Sequence, residues 1–220
     1  CKIQKISFIN LMRMPNLKEL NFGFNQIQLI EEKSFLSLKE LKSLRLNNNL
    51  ITDIDEFTLN ELMKLNYLDL SFNRISIVTD NAFYKLTKLQ ELNLKFNQLK
   101  SIPSKTFDAN RKLQKLDLSF NEIEEISDGL FDNLSELTFL DLSENKLTTL
   151  QPNTFKDLTK LQNLFLNSNN LKTFDINFNL NKNLEEIRLH DNKIERIESK
   201  SFNNLSKLKF ISLMDNKCID

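Results

Sequence analysis

Nine asparagines set the frame of this chain. Asn25, Asn49, Asn73, Asn97, Asn121, Asn145, Asn169, Asn192 and Asn216 follow one another at 24 residues, except for a step of 23 between Asn169 and Asn192. Each is preceded by the pattern L-x-x-L-x-L-x-x, seen clearly in Leu65-Leu68-Leu70 before Asn73 and Leu137-Leu140-Leu142 before Asn145. Two residues after the asparagine stands an aliphatic side chain, such as Ile27, Ile51, Ile75 or Leu99. Ten after it stands Phe35, Phe83, Phe107, Phe131, Phe155 or Phe202, with Leu59 in that slot once and Phe178 one residue early in the short repeat. A unit of this length cannot bury its own apolar face, so copies must stack on one another. In L-x-x-L-x-L the last two leucines lie two apart and share one face of a short strand, and the residues between and beside them point the other way. Stacked units then pair these strands in parallel at ~4.8 Å. The asparagine falls where the chain leaves the strand, and its amide can both donate and accept, which suits it to satisfy buried turn backbone.

Composition agrees with a repeat and narrows the function. Leucine occurs 41 times and asparagine 30 times, beside 18 phenylalanines and only 2 glycines. Thirty basic and 30 acidic residues give no net charge, which argues against non-specific binding to nucleic acid or an anionic membrane. No apolar run reaches the 18 or so residues of a membrane span. One histidine and two cysteines leave little for a metal centre or a Ser-His-Asp triad, and no glycine-rich phosphate loop, CxxC or HExxH occurs. No catalytic residue, metal ligand or cofactor is expected.

The register of these residues resembles the leucine-rich repeat family, and the 24-residue length with its late phenylalanine resembles the typical, extracellular kind found in secreted proteins and receptor ectodomains, including insect ones. The resemblance covers residues 17–220 as nine repeats, with residues 1–16 as an N-terminal cap segment. In that segment Ile3, Ile6 and Phe8 echo the strand pattern and are expected to form a degenerate edge strand or cap. The implied fold is α/β: a right-handed horseshoe solenoid with a parallel sheet on its concave side, and short helical or 3₁₀ turns and extended stretches on its convex side. The short seventh repeat is expected to bend the convex geometry locally. Cys218 resembles the first cysteine of a C-terminal cap that is missing or only begun, and Cys1 the last of an N-terminal one. Stacked repeats would hold the two roughly 38 Å apart, too far for a mutual disulfide. A trimmed fragment, an intermolecular bridge and free thiols all stay open for them.

The outward strand positions are the default recognition surface of such a solenoid. Most are polar, so the aromatic exceptions Phe139 and Phe165, on adjacent strands and flanked by Asp117, Asp141 and Arg188, stand out as a candidate hot spot. Tyr67 and the lone histidine, His190, belong to the same face. Asp117 and Asp141, on neighbouring strands, could resemble a carboxylate pair or a weak cation site, but Leu-Asp-Leu-Ser is an ordinary form of this repeat. Phe24, Phe72, Phe96 and Phe120, each directly before its asparagine, form a second stripe that reads either as a packing ladder or as a ligand contact. The sequons Asn133-Leu134-Ser135 and Asn204-Leu205-Ser206 share one convex phase and are candidate glycosylation sites. The expectation is a non-catalytic, extracellular recognition module whose partner is a protein ligand or co-receptor, with homo- or heterodimerisation open, no nucleic acid and no direct membrane insertion. A microbial glycan or lipid ligand is a lesser alternative, and an intracellular scaffold or regulator is the other class.

Overall fold

The structure, a computed structural model, describes residues 2–198 and 201–217. Cys1 and Cys218 lie outside the described residues. Nine three-residue strands form one parallel sheet in strict sequence order: Glu19–Asn21, Ser43–Arg45, Tyr67–Asp69, Glu91–Asn93, Lys115–Asp117, Phe139–Asp141, Asn163–Phe165, Glu186–Arg188 and Phe210–Ser212. Every neighbour pairs without slippage, for example Leu92 with Leu116, Leu116 with Leu140 and Leu140 with Leu164. The middle residue of each strand points into the core, and Leu44, Leu68, Leu116, Leu140, Leu164 and Ile187 are fully buried. This is the leucine-rich repeat solenoid with its parallel concave sheet.

The asparagines form the ladder that their spacing predicts. Asn121 Oδ1 accepts from the Leu99 N–H of the preceding repeat at 3.0 Å. Its Nδ2 donates to Leu94 O of that repeat at 3.0 Å and to Leu118 O of its own at 3.1 Å. The same triad recurs at Asn73, Asn97, Asn145, Asn169 and Asn192. Each asparagine therefore ties two adjacent turns of backbone that no strand hydrogen bond reaches. The residue before it bends the chain out of the strand through the left-handed region: Phe24, Asn48, Phe72, Phe96, Phe120, Glu144, Ser168, Asp191 and Asp215 all have φ between 52° and 58°. Asparagine and aspartate tolerate that conformation, whereas a bulky side chain there costs roughly 1–2 kcal/mol.

The convex side is built from isolated turns and three parallel pairs of two-residue strands. Among the described residues the one helix is Phe8–Leu11, ahead of the array. Of the helical or 3₁₀ turns expected between strands, the structure shows single turns with the 3₁₀ bond pattern, closed by Leu38 N to Phe35 O and Leu41 N to Leu38 O among others. Sets of three residues fixed by one such bond each are too short to propagate a helix. Phe83 stacks on Phe107, and Phe131 on Phe155, at 6.0 Å between ring centres. In the short repeat the missing residue draws Phe178 off this line. Phe174, in a slot filled elsewhere by Ile54 or Ile102, stacks on Phe202 at 5.9 Å instead.

Residues 2–16 do not enter the concave sheet. Lys5–Ile6 pairs with Leu29–Ile30, and Ile3 N donates to Asn25 Oδ1 as Ile27 N does to Asn49 Oδ1. Ile3 and Ile6 thus occupy the register of Ile27 and Ile30, one period earlier, so the segment is the convex half of a repeat. Its resemblance to the strand motif is a coincidence of spacing.

Candidate ligand-binding face

Alternation along the strands lays two outward columns across the sheet, and Phe139, Phe165 and Arg188 sit on its sixth, seventh and eighth strands. Phe139 and Phe165 meet edge to face, 5.3 Å between centres at 85°. Arg188, the strand partner of Phe165, places its guanidinium carbon 4.2 Å from that ring centre. A cation on a ring face is attracted by the ring quadrupole. Arg188 Nε also donates to Glu186 Oε1 at 2.6 Å, and Asn163 Nδ2 donates to Glu186 Oε2 at 3.3 Å. Glu186 and Asn163 therefore hold the guanidinium over the phenylalanine ring. Sequence reasoning missed this clamp, because it depends on side-chain rotamers and not on which residues share a face.

The carboxylates flank this cluster. Asp117 and Asp141 are strand partners. Each lends Oδ1 to its own turn: Asp117 accepts from the Ser119 amide at 3.0 Å and hydroxyl at 2.6 Å, and Asp141 from the Ser143 amide at 2.9 Å and hydroxyl at 2.6 Å. Burial pushes the Asp141 carboxyl above its ordinary range, and the Asp117 charge adds to this against the opposing Ser143 bonds and the Arg188 charge. Both side chains thus shape the strand exit. Tyr67 lies two strands away from the cluster, under Arg45 at 5.2 Å from its ring centre, and burial together with Asp69 raises its hydroxyl. His190 lies two residues beyond Arg188; its Nδ1 is buried and makes no hydrogen bond among the described residues. The structure therefore joins Asp117, Phe139, Asp141, Phe165 and Arg188 and leaves Tyr67 in a separate Arg-Tyr pair.

The second stripe is a ladder in three of its four members. Phe72 stacks on Phe96 at 4.3 Å and Phe96 on Phe120 at 4.0 Å, within 15° of parallel. Phe24 stands apart, 80% exposed, because Asn48 occupies the intervening step. Asn133 and Asn204 lie on the convex side, where their Nδ2 groups donate to Asp108 Oδ1 at 3.2 Å and Asn179 Oδ1 at 2.6 Å. Among the described residues no helix is long and apolar enough to cross a membrane.

A stacked array of this geometry defines a leucine-rich repeat solenoid as the class of protein. The sequence model of the leucine rich repeat family matches residues 1–51, 39–99, 87–147 and 111–171, and the chain belongs to that family. Among solved structures it is similar to a chain from the crystal structure of a TLR13–ssRNA13 complex, with a TM-score of 0.90 and 27% identity over 98% of this chain. It spans 32% of that chain's length. Comparison with curated proteins returns no match. The expectation of no nucleic-acid partner is overturned by this similarity, since a chain of the same fold was solved with single-stranded RNA. Net charge was the wrong quantity to reason from. It averages 60 charged side chains over the whole surface, whereas a ligand meets the few that line one groove.

Proposed function

We propose that this chain is a non-catalytic ligand-recognition segment of an extracellular, receptor-type leucine-rich repeat protein, and that it binds a protein partner on its concave face. The observation that carries the reading is the Phe139-Phe165-Arg188 cluster, an aromatic pair capped by a clamped guanidinium on a sheet whose other outward positions are mostly polar. Aromatic and arginine side chains that are held in place before binding are the usual sources of interface energy. Tyr67 with Arg45 gives a second anchor on the same face. A screen of the chain against a panel of purified extracellular proteins, with each hit retitrated, tests this. Alanine at both Phe139 and Phe165 is expected to weaken binding more than tenfold, and hits that bind this variant unchanged would refute the concave site.

The solved TLR13–ssRNA13 complex favours a second reading, in which the ligand is single-stranded nucleic acid. Titration of the unaltered chain with single-stranded RNA tests it, and no binding would refute it. Location has its own test. The mass of the natural protein before and after glycosidase should reveal sugar on Asn133 or Asn204, and bare asparagines would favour the intracellular scaffold instead.

A further inference from the structure

The phenylalanines before the asparagines occupy a backbone conformation that disfavours them, and mutual stacking accounts for only three of the four. Phe72, Phe96 and Phe120 shield one another. Phe24 has the same left-handed backbone, with φ of 58°, yet it has no ring partner among the described residues and is 80% exposed. Strain kept at an exposed aromatic side chain without a packing reason points to a ligand.

The gap between Phe24 and the end of the ladder has definite dimensions. Ring centres in the ladder are 4.0–4.3 Å apart. Phe24 and Phe72 are two repeats apart, so about 8–9 Å separates their places in the stack, which leaves room for one flat ring between them. At the floor of the gap Asn48 offers a side-chain amide that makes no hydrogen bond among the described residues, while its backbone N–H is taken by Ser71 O at 3.0 Å. Phe24, Asn48 and Phe72 line a single open groove together with Lys2 and Arg74, and among the described residues no carboxylate lines it. Neither Lys2 nor Arg74 has an ion-pair partner among the described residues, and Lys95 holds its ammonium 6.0 Å from the Phe72 ring centre. In a chain with equal numbers of acids and bases, this is a locally basic groove floored by aromatic rings.

We propose that this groove binds single-stranded nucleic acid, with one unpaired base inserted between Phe24 and Phe72, its edge against the Asn48 amide, and its phosphates on Lys2 and Arg74. Aromatic platforms within a positive groove are how single strands are held without sequence-specific pairing. An aromatic peptide side chain would fit the gap, but it would leave the cations without a counter-charge. The site lies apart from the concave cluster and stands or falls independently of it.

The test is a fluorescence-anisotropy titration of the whole chain with labelled single-stranded RNA and DNA of about 12 nucleotides, beside strands of the same length with abasic positions. Base-bearing strands should bind at least tenfold more tightly than abasic ones. Asn48→Phe closes the gap with a side chain that four other repeats already carry at this position, and it should remove that tenfold advantage while leaving abasic binding unchanged. Phe24→Ala, at a side chain exposed enough to be dispensable for folding, should do the same. Arg74→Ala should weaken both kinds of strand and flatten the salt dependence. Equal affinity for base-bearing and abasic strands overturns the proposal, as does full binding by Asn48→Phe or capture of an aromatic peptide in place of the strands. Unchanged binding by the Phe139 and Phe165 double variant is expected.

Discussion

At the scale of single residues, the ladder asparagines carry more than their size suggests. Removing the Asn121 amide leaves the buried Leu99 N–H without an acceptor and takes one of two donors from the Leu94 and Leu118 carbonyls, which keep the amides of Asn97 and Asn145. Each unsatisfied buried group costs roughly 1–3 kcal/mol. With one stranded donor and two lost bonds to carbonyls that stay paired, Asn121→Ala is expected to lower unfolding free energy by about 2–4 kcal/mol in a urea titration. Asn25→Ala, whose bonds with Ile3 and Phe22 are partly solvated, should cost much less. Equal losses at the two sites would mean that burial does not set their worth. The ladder was legible in the sequence because the spacing of the asparagines is itself the pattern. Two other buried asparagines were not. Asn110 and Asn181 stand in a convex slot held elsewhere by leucine, where they donate to Phe83 O and Phe155 O while their own Oδ1 atoms stay unpaired. The repeat pattern marks that slot as apolar, yet it gives no partner for an amide placed there.

At the scale of strands and stripes, adjacency matters more than identity. Asp117 and Asp141 are ordinary residues of their motif, but parallel pairing puts the two charges side by side on a partly desolvated face. The Asp141 carboxyl is raised in the folded chain, first by burial and then by Asp117. Between its unfolded and folded pKa the native state holds a proton that the unfolded chain lacks, so stability rises as pH falls through that window and is lower above it. Asp141→Asn removes the charge and keeps an oxygen for Ser143. It should melt higher than wild type at about pH 7, with the difference closing toward about pH 3. A difference that does not vary with pH would rule out the charge as its cause. Columns such as Phe139 with Phe165 were readable because a strand alternates with a fixed period of two. The clamp of Glu186 on Arg188 and the left-handed backbone beneath the phenylalanine ladder were not, since both arise from packing between repeats. The convex connections were the least legible part. Their single turns recur with the repeat, as in Leu62 N to Leu59 O and Leu86 N to Phe83 O, but each is too short to carry a helical period of its own, and the lead-in Ile3 and Ile6 copied the strand motif while folding in the opposite half of the repeat.

At the scale of the whole molecule, the long-range ties run between neighbouring repeats. Strand pairs, ring stacks and cross-repeat ion pairs such as Lys64–Glu40 at 2.6 Å and Lys160–Glu136 at 2.7 Å each join one repeat to the next. Stability in such an array is a sum over nearest-neighbour junctions. Amide exchange should therefore be slowest in the middle repeats and quicken toward both ends, and uniform protection would signal a single all-or-none unit instead. The asparagine ladder also has a mechanical consequence. A molecule held at its two ends and stretched cannot share the load among all nine rungs, because each rung fastens only to the next. It should come apart like a zip, one repeat at a time, releasing about 80 Å of chain at each step. A protein built this way yields to tension in small, countable increments, so a cell that tugs on it would shorten its binding surface from one end and leave the remaining turns in register.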